Sequence, residues 1–179
     1  AADEAVRFSD GLFVAPHTNR TIDLESLVEQ LVVPGQPHLL NMAHSYETAG
    51  ATYPYGCHIA EVEIDPASCD ITIVKFTVVD DFGLVINPMM LAGQIHGGIA
   101  QGVGQALYEH VEYAVSGPIL SGSFMDYTMP RAGHFPQLDI HMHNTPCQNN
   151  ILGIKGSGEA GAIGAPQAVV SAVCDGLGI

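Results

Sequence analysis

The sequence predicts an α+β fold in which a mixed, largely antiparallel sheet packs in two layers against helices. Short runs with alternating apolar and polar residues occur in pairs around turn residues, which is typical of antiparallel strands. Longer stretches later in the chain carry small and apolar residues at helical spacing. At 179 residues the chain is long enough for one domain with a real core, so we treat residues 1–179 as a single domain.

The first predicted elements are a β-hairpin and a short helix. Residues 6–14 form two alternating runs around Asp10-Gly11, a dipeptide that favours a tight turn. Thr21 to Val28 offers a capping residue, acidic first-turn residues and apolar positions at helical spacing. We therefore expect an amphipathic helix that ends before Pro34-Gly35. The segment from there to Gly56 has no clear period and predicts an extended connection.

A second and stronger strand pair follows. His58 to Ile64 alternates, and Ile71 to Val79 is both β-branched and alternating, so the two are expected to pair antiparallel. Met89 to Tyr113 has helical spacing and several glycines. Each glycine costs about 1 kcal/mol in a helix relative to alanine, so we expect them where the helix packs tightly against a neighbour.

The last predicted elements are a strand and a buried helix. Leu138 to His143 is the strand. A glycine-rich stretch, Gly153 to Gly164, leads into an apolar segment from Pro166 to Asp175. Since proline is favoured at the first position of a helix, we expect the final helix to begin at Pro166.

Composition excludes several classes of function. The formal net charge is −14, with five Lys and Arg against nineteen Asp and Glu, which disfavours nucleic acids and anionic membrane surfaces. Charged residues make up 13% and hydrophobic residues 47%, a ratio that indicates a surface covered by something else. The uncharged stretch from Phe82 to Tyr108 contains too many amides and glycines for a transmembrane segment.

The cysteines and the amino-terminal residues bear on metal content and location. The four cysteines are scattered without any short ligand spacing, so the sequence encodes no iron–sulfur or zinc framework. No basic region followed by an apolar stretch lies near Ala1. We therefore expect a cytoplasmic protein, with a periplasmic location left open.

A glycine-rich turn from Lys155 to Gly161 presents one carboxylate, Glu159, just before the final helix. Backbone can approach a ligand closely at such a turn, and consecutive N–H groups at a helix entrance favour oxyanions. Lys155 adds a positive charge there. Taken alone, the pattern favours a glycine-rich loop that ends in an exposed Glu and binds nothing.

Glutamines are spaced along the long glycine-containing helix. Gln101 and Gln105 follow Gln94 by seven and eleven residues, a spacing that places all three on one helical face. Carboxamides both donate and accept hydrogen bonds, so this face could hold a cofactor rich in heteroatoms. A helix that merely packs on the core with its amides satisfied is the alternative.

Four separated motifs decide between these alternatives, because their order and spacing match one family. From about Phe8 onward the chain resembles the large subunit of the molybdenum hydroxylases, the family of xanthine dehydrogenase, aldehyde oxidase and carbon monoxide dehydrogenase. Tyr53-Pro54-Tyr55-Gly56 resembles the branch that contains carbon monoxide dehydrogenase and bacterial aldehyde oxidases. The four motifs are Asp80-Asp81-Phe82-Gly83 with Ile86-Asn87-Pro88, Gly93-Gln94-Ile95-His96-Gly97-Gly98, Gly122-Ser123-Phe124-Met125-Asp126-Tyr127 with Met129-Pro130, and Gly153-Ile154-Lys155-Gly156-Ser157-Gly158-Glu159.

The resemblance implies roles for individual residues. Glu159 would be the catalytic general base, and Gln94 would hydrogen-bond the pyranopterin cofactor. The loop beside the cofactor would be shaped by Lys155, Gly156, Ser157 and Gly158. The implied reaction oxidises an aldehyde, an N-heterocycle or CO with oxygen derived from water, and Glu159 would take up the proton.

The resemblance also implies a cofactor and partners. The cofactor would be molybdenum-pyranopterin (molybdopterin), either as such or as the cytosine dinucleotide, and segments absent from this chain would complete its site. The chain would then be a carboxyl-terminal cofactor-binding domain and a fragment of a longer subunit, inactive when isolated. Implied partners are the remainder of the large subunit, iron–sulfur and FAD subunits or domains, and a small-molecule substrate. The full enzyme would be a dimer of heteromers without a transmembrane segment.

Two alternatives and several residue interpretations stay open at this point. The chain could be a non-catalytic assembly module that keeps the fold. It could also bind a metal through His141 and His143, with His134 nearby, although a solvated strand face explains these histidines as well. Asp80 and Asp81 are interpreted as turn residues rather than paired acids. The tyrosines are interpreted as packed aromatics: Tyr53, Tyr55 and Tyr127.

Overall fold

A computed structural model describes residues 6–16, 18–36 and 40–179. They belong to two units, residues 1–47 and residues 48–179, and each is described by itself. The first unit contains a three-stranded antiparallel sheet in which the strands follow sequence order. The predicted hairpin is confirmed, because Asp10 and Gly11 take positive φ values of 51° and 78° in the turn between β1 and β2. The elements are β1 (Arg7–Ser9), β2 (Leu12–Val14), β3 (Thr21–Asp23) and α1 (Leu24–Gln30).

Helix α1 begins later than its sequence pattern predicts. Thr21–Asp23 pairs with β2 as a third strand instead of opening the helix. Asp23 is the N-cap, and its carboxylate accepts a hydrogen bond from Ser26 N at 2.7 Å. This hydrogen bond lowers the pKa of Asp23. Both Thr and Asp can cap a helix, and the strand pairing at Thr21 leaves the role to Asp23.

The second unit is built on a mixed three-stranded sheet. Its strands are β4 (Tyr55–Ile64), β5 (Ile71–Asp81) and β6 (Leu138–Met142), and β5 lies in the middle. The predicted antiparallel pairing of β4 with β5 is confirmed, while β6 runs parallel to β5. A bulge shifts the register between Glu61 and Val62. It allows both Ile73 and Phe76 to be buried although they are three residues apart.

Two helices contact each other beside this sheet. Helix α2 spans Pro88–Val103 and continues as a π-helical turn, Gly104–Tyr108, so it is helical over most of the predicted range. Helix α3 spans Ala160–Leu177. The expectation that it begins at Pro166 was wrong. The end of the glycine-rich stretch is already helical from Ala160, where Gly161 packs against α2, and Pro166 lies inside the helix.

The core of this unit lies between the sheet and the two helices, which confirms the predicted two-layer α+β architecture. Each fully buried side chain of this size stabilises the fold by roughly 1.5–3 kcal/mol relative to an exposed one. The largest fully buried side chains are Phe76 and Val78 of β5, Ile95, Ile99 and Val103 of α2, and Val169 of α3.

Glycines allow α2 and α3 to approach closely, as the sequence predicts. A Cβ atom at Gly98 would lie 2.8 Å from Gly161 Cα, and one at Gly102 would lie 2.8 Å from Ala165 Cβ. The backbones of the two helices are therefore in direct contact at Gly98 and Gly161.

Helix α3 is also long and apolar enough, by length and composition alone, to cross a membrane. Ala165 and Val169 are fully buried against the core, and Gly161 contacts α2. One face of α3 is thus packed against the core, while Ile163, Val170 and Leu177 are exposed.

Candidate active site

The glycine-rich loop that leads to Glu159 is fixed to the end of β5. Leu84 N donates to Gly153 O, and Lys155 N donates to Phe82 O, each at 2.9 Å. Gly83 and Ile154 form an isolated antiparallel bridge between these two hydrogen bonds. The first half of the loop is thus held by main-chain contacts, and its position follows from that of the sheet.

The side chain of Lys155 is buried and contacts other residues of the chain. Its Nζ lies 2.9 Å from Asp81 Oδ2, and both side chains are buried, with relative accessibilities of 8% and 3%. The same ammonium lies 4.4 Å from the centroid of the Tyr55 ring. Lys155 therefore anchors the loop, and the part of the lysine nearest a ligand would be its backbone.

Asp81 connects three segments that are distant in sequence. Its Oδ1 accepts hydrogen bonds from Gly83 N at 2.8 Å and from Thr145 N at 3.1 Å, while Oδ2 pairs with Lys155. Desolvation raises the pKa of Asp81, but the donors from Gly83, Lys155 and Thr145 outweigh it and hold this pKa well below its usual range. The hydrogen bond from Gly83 N to Asp81 Oδ1 agrees with the interpretation of Asp81 as a turn residue.

The neighbouring Asp80 does not serve the turn. It is buried at the end of β5, with Oδ1 3.5 Å from His58 Nε2. Both lie against a cavity of about 530 Å³ between β4 and α3. None of the site residues predicted from the sequence is among the described residues that line it.

Glu159 is the residue immediately before α3. It occupies the N-cap position, but its side chain makes no capping hydrogen bond. The side chain is exposed and borders a cavity of about 400 Å³. The polar residues that share this cavity with it are Gln101, Gln105 and Glu109.

Three of the remaining predicted residues border a second cavity, and Gly156 and Gly158 do not. Gln94 lines a space of about 550 Å³ together with Lys155 and Ser157. The three glutamines of α2 and the π-helical turn therefore line different cavities: Gln94 lines the cavity of Lys155 and Ser157, and the other two line the cavity of Glu159. The predicted site residues thus do not share one cavity, because Glu159 lines one space and Gln94, Lys155 and Ser157 line another.

Several glycines here have no structural reason within the described part of the chain. A Cβ at Gly156 or Gly158 would meet nothing within 4 Å, and neither residue has a positive φ. The same holds for Gly93 and Gly97, one turn apart on α2. Glycine that neither a turn nor internal packing requires is expected where another group approaches the backbone. These positions fit a large ligand that lies against the loop and α2.

Glu109 and Tyr127 were not predicted as site residues. Tyr127 Oη donates a hydrogen bond to Glu109 Oε2 at 2.6 Å, and this bond raises the pKa of Tyr127. Glu109 follows Gln101 and Gln105 at intervals of four residues, so the helical spacing of the amides could have revealed it.

The histidines proposed as a metal site have other partners. His141 Nε2 lies 2.9 Å from Asp139 Oδ1 on an exposed face of β6, and His134 stacks on Tyr108. Within residues 6–16, 18–36 and 40–179, no three His, Cys, Asp or Glu side chains come together as they would around a metal ion. The described residues give a histidine metal site no support.

Comparison with known proteins identifies the family. Residues 1–136 match the family model of the molybdopterin cofactor-binding domain. The chain belongs to this family. Among curated members, the nicotine 6-hydroxylase large subunit of Paenarthrobacter nicotinovorans is 37% identical over 138 residues, which are 77% of this chain and 17% of that protein. The carbon monoxide dehydrogenase large chain of Hydrogenophaga pseudoflava is 33% identical over 76% of this chain and 17% of its own length.

Solved structures extend this likeness to the molybdopterin-binding fold over the rest of the chain, including the loop and α3. Quinoline 2-oxidoreductase from Pseudomonas putida 86 matches with a TM-score of 0.85 and 36% identity, over 99% of this chain and 24% of that one. A Cu,Mo-CO dehydrogenase matches with a TM-score of 0.80 and 27% identity, over 96% of this chain and 22% of that one. The chain therefore spans about a fifth of the proteins that it resembles.

Proposed function

We propose that this chain forms part of the catalytic subunit of a molybdenum-dependent hydroxylase, in which Glu159 is the general base. The observation that carries the proposal is the position of Glu159. Its carboxylate accepts no hydrogen bond from the described residues, borders a polar cavity, and follows a loop whose glycines face open space. A carboxylate that is fixed through its backbone and free at its tip is suited to proton transfer.

The cofactor would lie against the loop and the exposed face of α2. The carboxamide of Gln94, the Ser157 hydroxyl and the backbone N–H groups of Gly156 and Gly158 are the donors available to its pterin and phosphate oxygens. Lys155 would hold this loop in shape through its pair with Asp81. When bound, the molybdenum group, as molybdopterin or its cytosine dinucleotide, supplies the two-electron chemistry.

Glu159 would act on the oxygen that is transferred. The reaction adds a water-derived oxygen to an electrophilic carbon, and this oxygen must lose a proton as it attacks. Glu159 would accept that proton, a contribution typically of about 10²–10⁴ in rate. Glu159 O accepts hydrogen bonds from Ala162 N and Ile163 N, so the backbone of Glu159 is held at the start of α3 while its carboxylate oxygens stay free.

Substrate and partners follow from the same proposal. The names of the relatives specify nicotine, carbon monoxide and quinoline, so CO and N-heterocycles are the first substrates to test, followed by aldehydes. The expected partners are the remainder of the large subunit and iron–sulfur and FAD subunits or domains. We place the enzyme in the cytoplasm, as a dimer of heteromers.

The decisive experiment is Glu159→Gln in the complete enzyme that contains this chain. We expect turnover to fall by at least about 10²-fold, because glutamine keeps the shape but accepts no proton. Molybdenum content and the absorption spectrum should stay unchanged. The matched control is Glu63→Gln on the exposed side of β4. Near-normal turnover of Glu159→Gln with full cofactor content would remove this residue from the mechanism.

A further inference from the structure

We propose that Glu109, held in place by Tyr127, is the carboxylate through which the proton collected by Glu159 leaves the active site. This inference rests on the proposed function, because a base that is used in every turnover must also lose its proton in every turnover. Glu109 is a positioned relay residue in this account, and Glu159 remains the base.

Glu109 is held in a defined orientation. Its Oε2 accepts the hydroxyl of Tyr127 at 2.6 Å, a length typical of a hydroxyl that donates to an ionised carboxylate. Its Oε1 lies over Gly104, where any Cβ would collide with it. Its backbone N donates to Gly104 O at 2.7 Å at the end of the π-helical turn. The carboxylate is thus held by the hydrogen bond to Oε2, and the absence of a side chain at Gly104 leaves the space that Oε1 occupies.

Glu109 and Glu159 face the same space. Among the described residues that line the cavity of about 400 Å³, these two are the only acidic side chains. Its volume exceeds many times the roughly 30 Å³ that one water occupies in the liquid, so water can connect the carboxylates. Gln101 and Gln105 line the same cavity, and their amides can donate to and accept from such waters.

The proton transfer balances without a further reactant. Glu159 gains one proton when the oxygen attacks and passes it to a water in the cavity. That water delivers a proton to the Glu109 carboxylate, which releases it to solvent. Both carboxylates are then ionised again, and no electrons move in these steps. Because Tyr127 donates to Glu109, the pKa of this tyrosine is raised and its hydroxyl stays a donor throughout.

The test compares Glu109→Gln with wild type in the complete, molybdenum-loaded enzyme. In dilute buffer at saturating substrate we expect kcat to fall about tenfold or more, with KM and molybdenum content unchanged. A small buffer acid such as imidazole should restore kcat in a saturable way, since it can carry the proton instead. Glu109→Asp, which keeps a carboxylate, should retain more activity than Glu109→Gln. Tyr127→Phe should lower kcat less and also respond to imidazole.

The controls separate this inference from the one on which it rests. Glu112→Gln, an exposed glutamate three residues further along, should behave as wild type. If Glu109→Gln has the kcat of the wild type in dilute buffer, the relay is overturned. A fall in kcat that imidazole does not restore, together with a fall in molybdenum content, would overturn it as well. If Glu159→Gln is inactive while Glu109→Gln is normal, only the relay fails. Normal turnover of Glu159→Gln would overturn both proposals.

Discussion

Asp81 shows how much of this fold depends on a single side chain. It joins the end of β5, the segment around Thr145 and the loop of Lys155 through two hydrogen bonds and one ion pair. A carboxylate in a site this buried remains ionised only because these donors surround it. The position of the loop that leads to Glu159 therefore depends on the ion pair between Asp81 and Lys155.

Replacing this carboxylate should destabilise the protein in a pH-dependent way. We expect Asp81→Asn to lower the free energy of unfolding at neutral pH by about 3 kcal/mol, because Lys155 is left buried without its partner. The pKa of Asp81 is lowered in the folded state from 3.8. The stabilisation by wild-type Asp81 is therefore complete above about pH 4 and is lost as pH falls towards the folded-state pKa.

Urea unfolding from about pH 7 to about pH 3 would measure this difference. The control is Asp70→Asn, which removes an equal charge at an exposed turn and should change stability little at any pH. A difference for Asp81→Asn that does not shrink on acidification would show that the ion pair is not its source.

The sequence indicated some of these residues and not others, for a physical reason. Glu159 and Lys155 lie in one short motif, where local spacing carries the information. The contacts from Asp81 to Lys155 and from Tyr127 to Glu109 join residues 74 and 18 positions apart in the sequence. Such pairs are created by the tertiary fold, and no periodicity in a single sequence encodes them.

At the scale of elements, neighbouring glycines of α2 should respond in opposite ways to alanine. Gly98→Ala places a Cβ against the backbone of α3, which cannot move aside, and should destabilise by about 1–3 kcal/mol. Gly97→Ala meets nothing within 4 Å and should stabilise by up to about 1 kcal/mol through helix propensity. Thermal or urea unfolding measures both. Equal effects would contradict the glycine contact between the helices.

The loop glycines should affect cofactor loading rather than folding. Gly156→Ala and Gly158→Ala have open space around the added methyl group, so the stability of the chain should change by less than about 1 kcal/mol. The molybdenum content of the complete enzyme should fall, because the methyl group occupies the space of the ligand. Gly133→Ala, which also meets nothing within 4 Å, is the control. Full molybdenum content in both loop variants would argue against a cofactor there.

The elements were more predictable than their ends. The alternation of apolar and polar residues predicted β4 and β5, because one face of this antiparallel pair is turned towards the core. The starts of α1 and α3 were misplaced, since the pairing of Thr21–Asp23 and the packing of Gly161 on Gly98 both involve residues from elsewhere in the chain. A proline suits the start of a helix, but Pro166 is accommodated within α3.

At the scale of the whole molecule, the chain exposes many large apolar side chains. Met89, Phe124 and Met125 have relative accessibilities of 80%, 84% and 94%. Together with a charged fraction of 13%, this indicates a surface made for further protein contacts. The prediction of one domain for residues 1–179 stays a prediction, and the two units are the natural basis for testing it.

The isolated chain should therefore be inactive. Residues 1–179 expressed alone are expected to retain little molybdenum and to show no turnover, because they span about a fifth of the length of related enzymes. Elemental analysis and dye reduction would measure this, with the complete enzyme as reference. Stoichiometric molybdenum in the isolated chain would show that these residues suffice for the site.

The direct contact of Gly98 with Gly161 would have a consequence for the proposed proton transfer. No compressible layer of side chains separates α2 from the first turn of α3, so the two helices shift together or not at all. The distance between the glutamine amides of the first helix and Glu159 at the start of α3 is therefore set by the contact of the two backbones. We expect substitutions in the surrounding core to alter stability while leaving unchanged the distance over which the proposed proton transfer would occur.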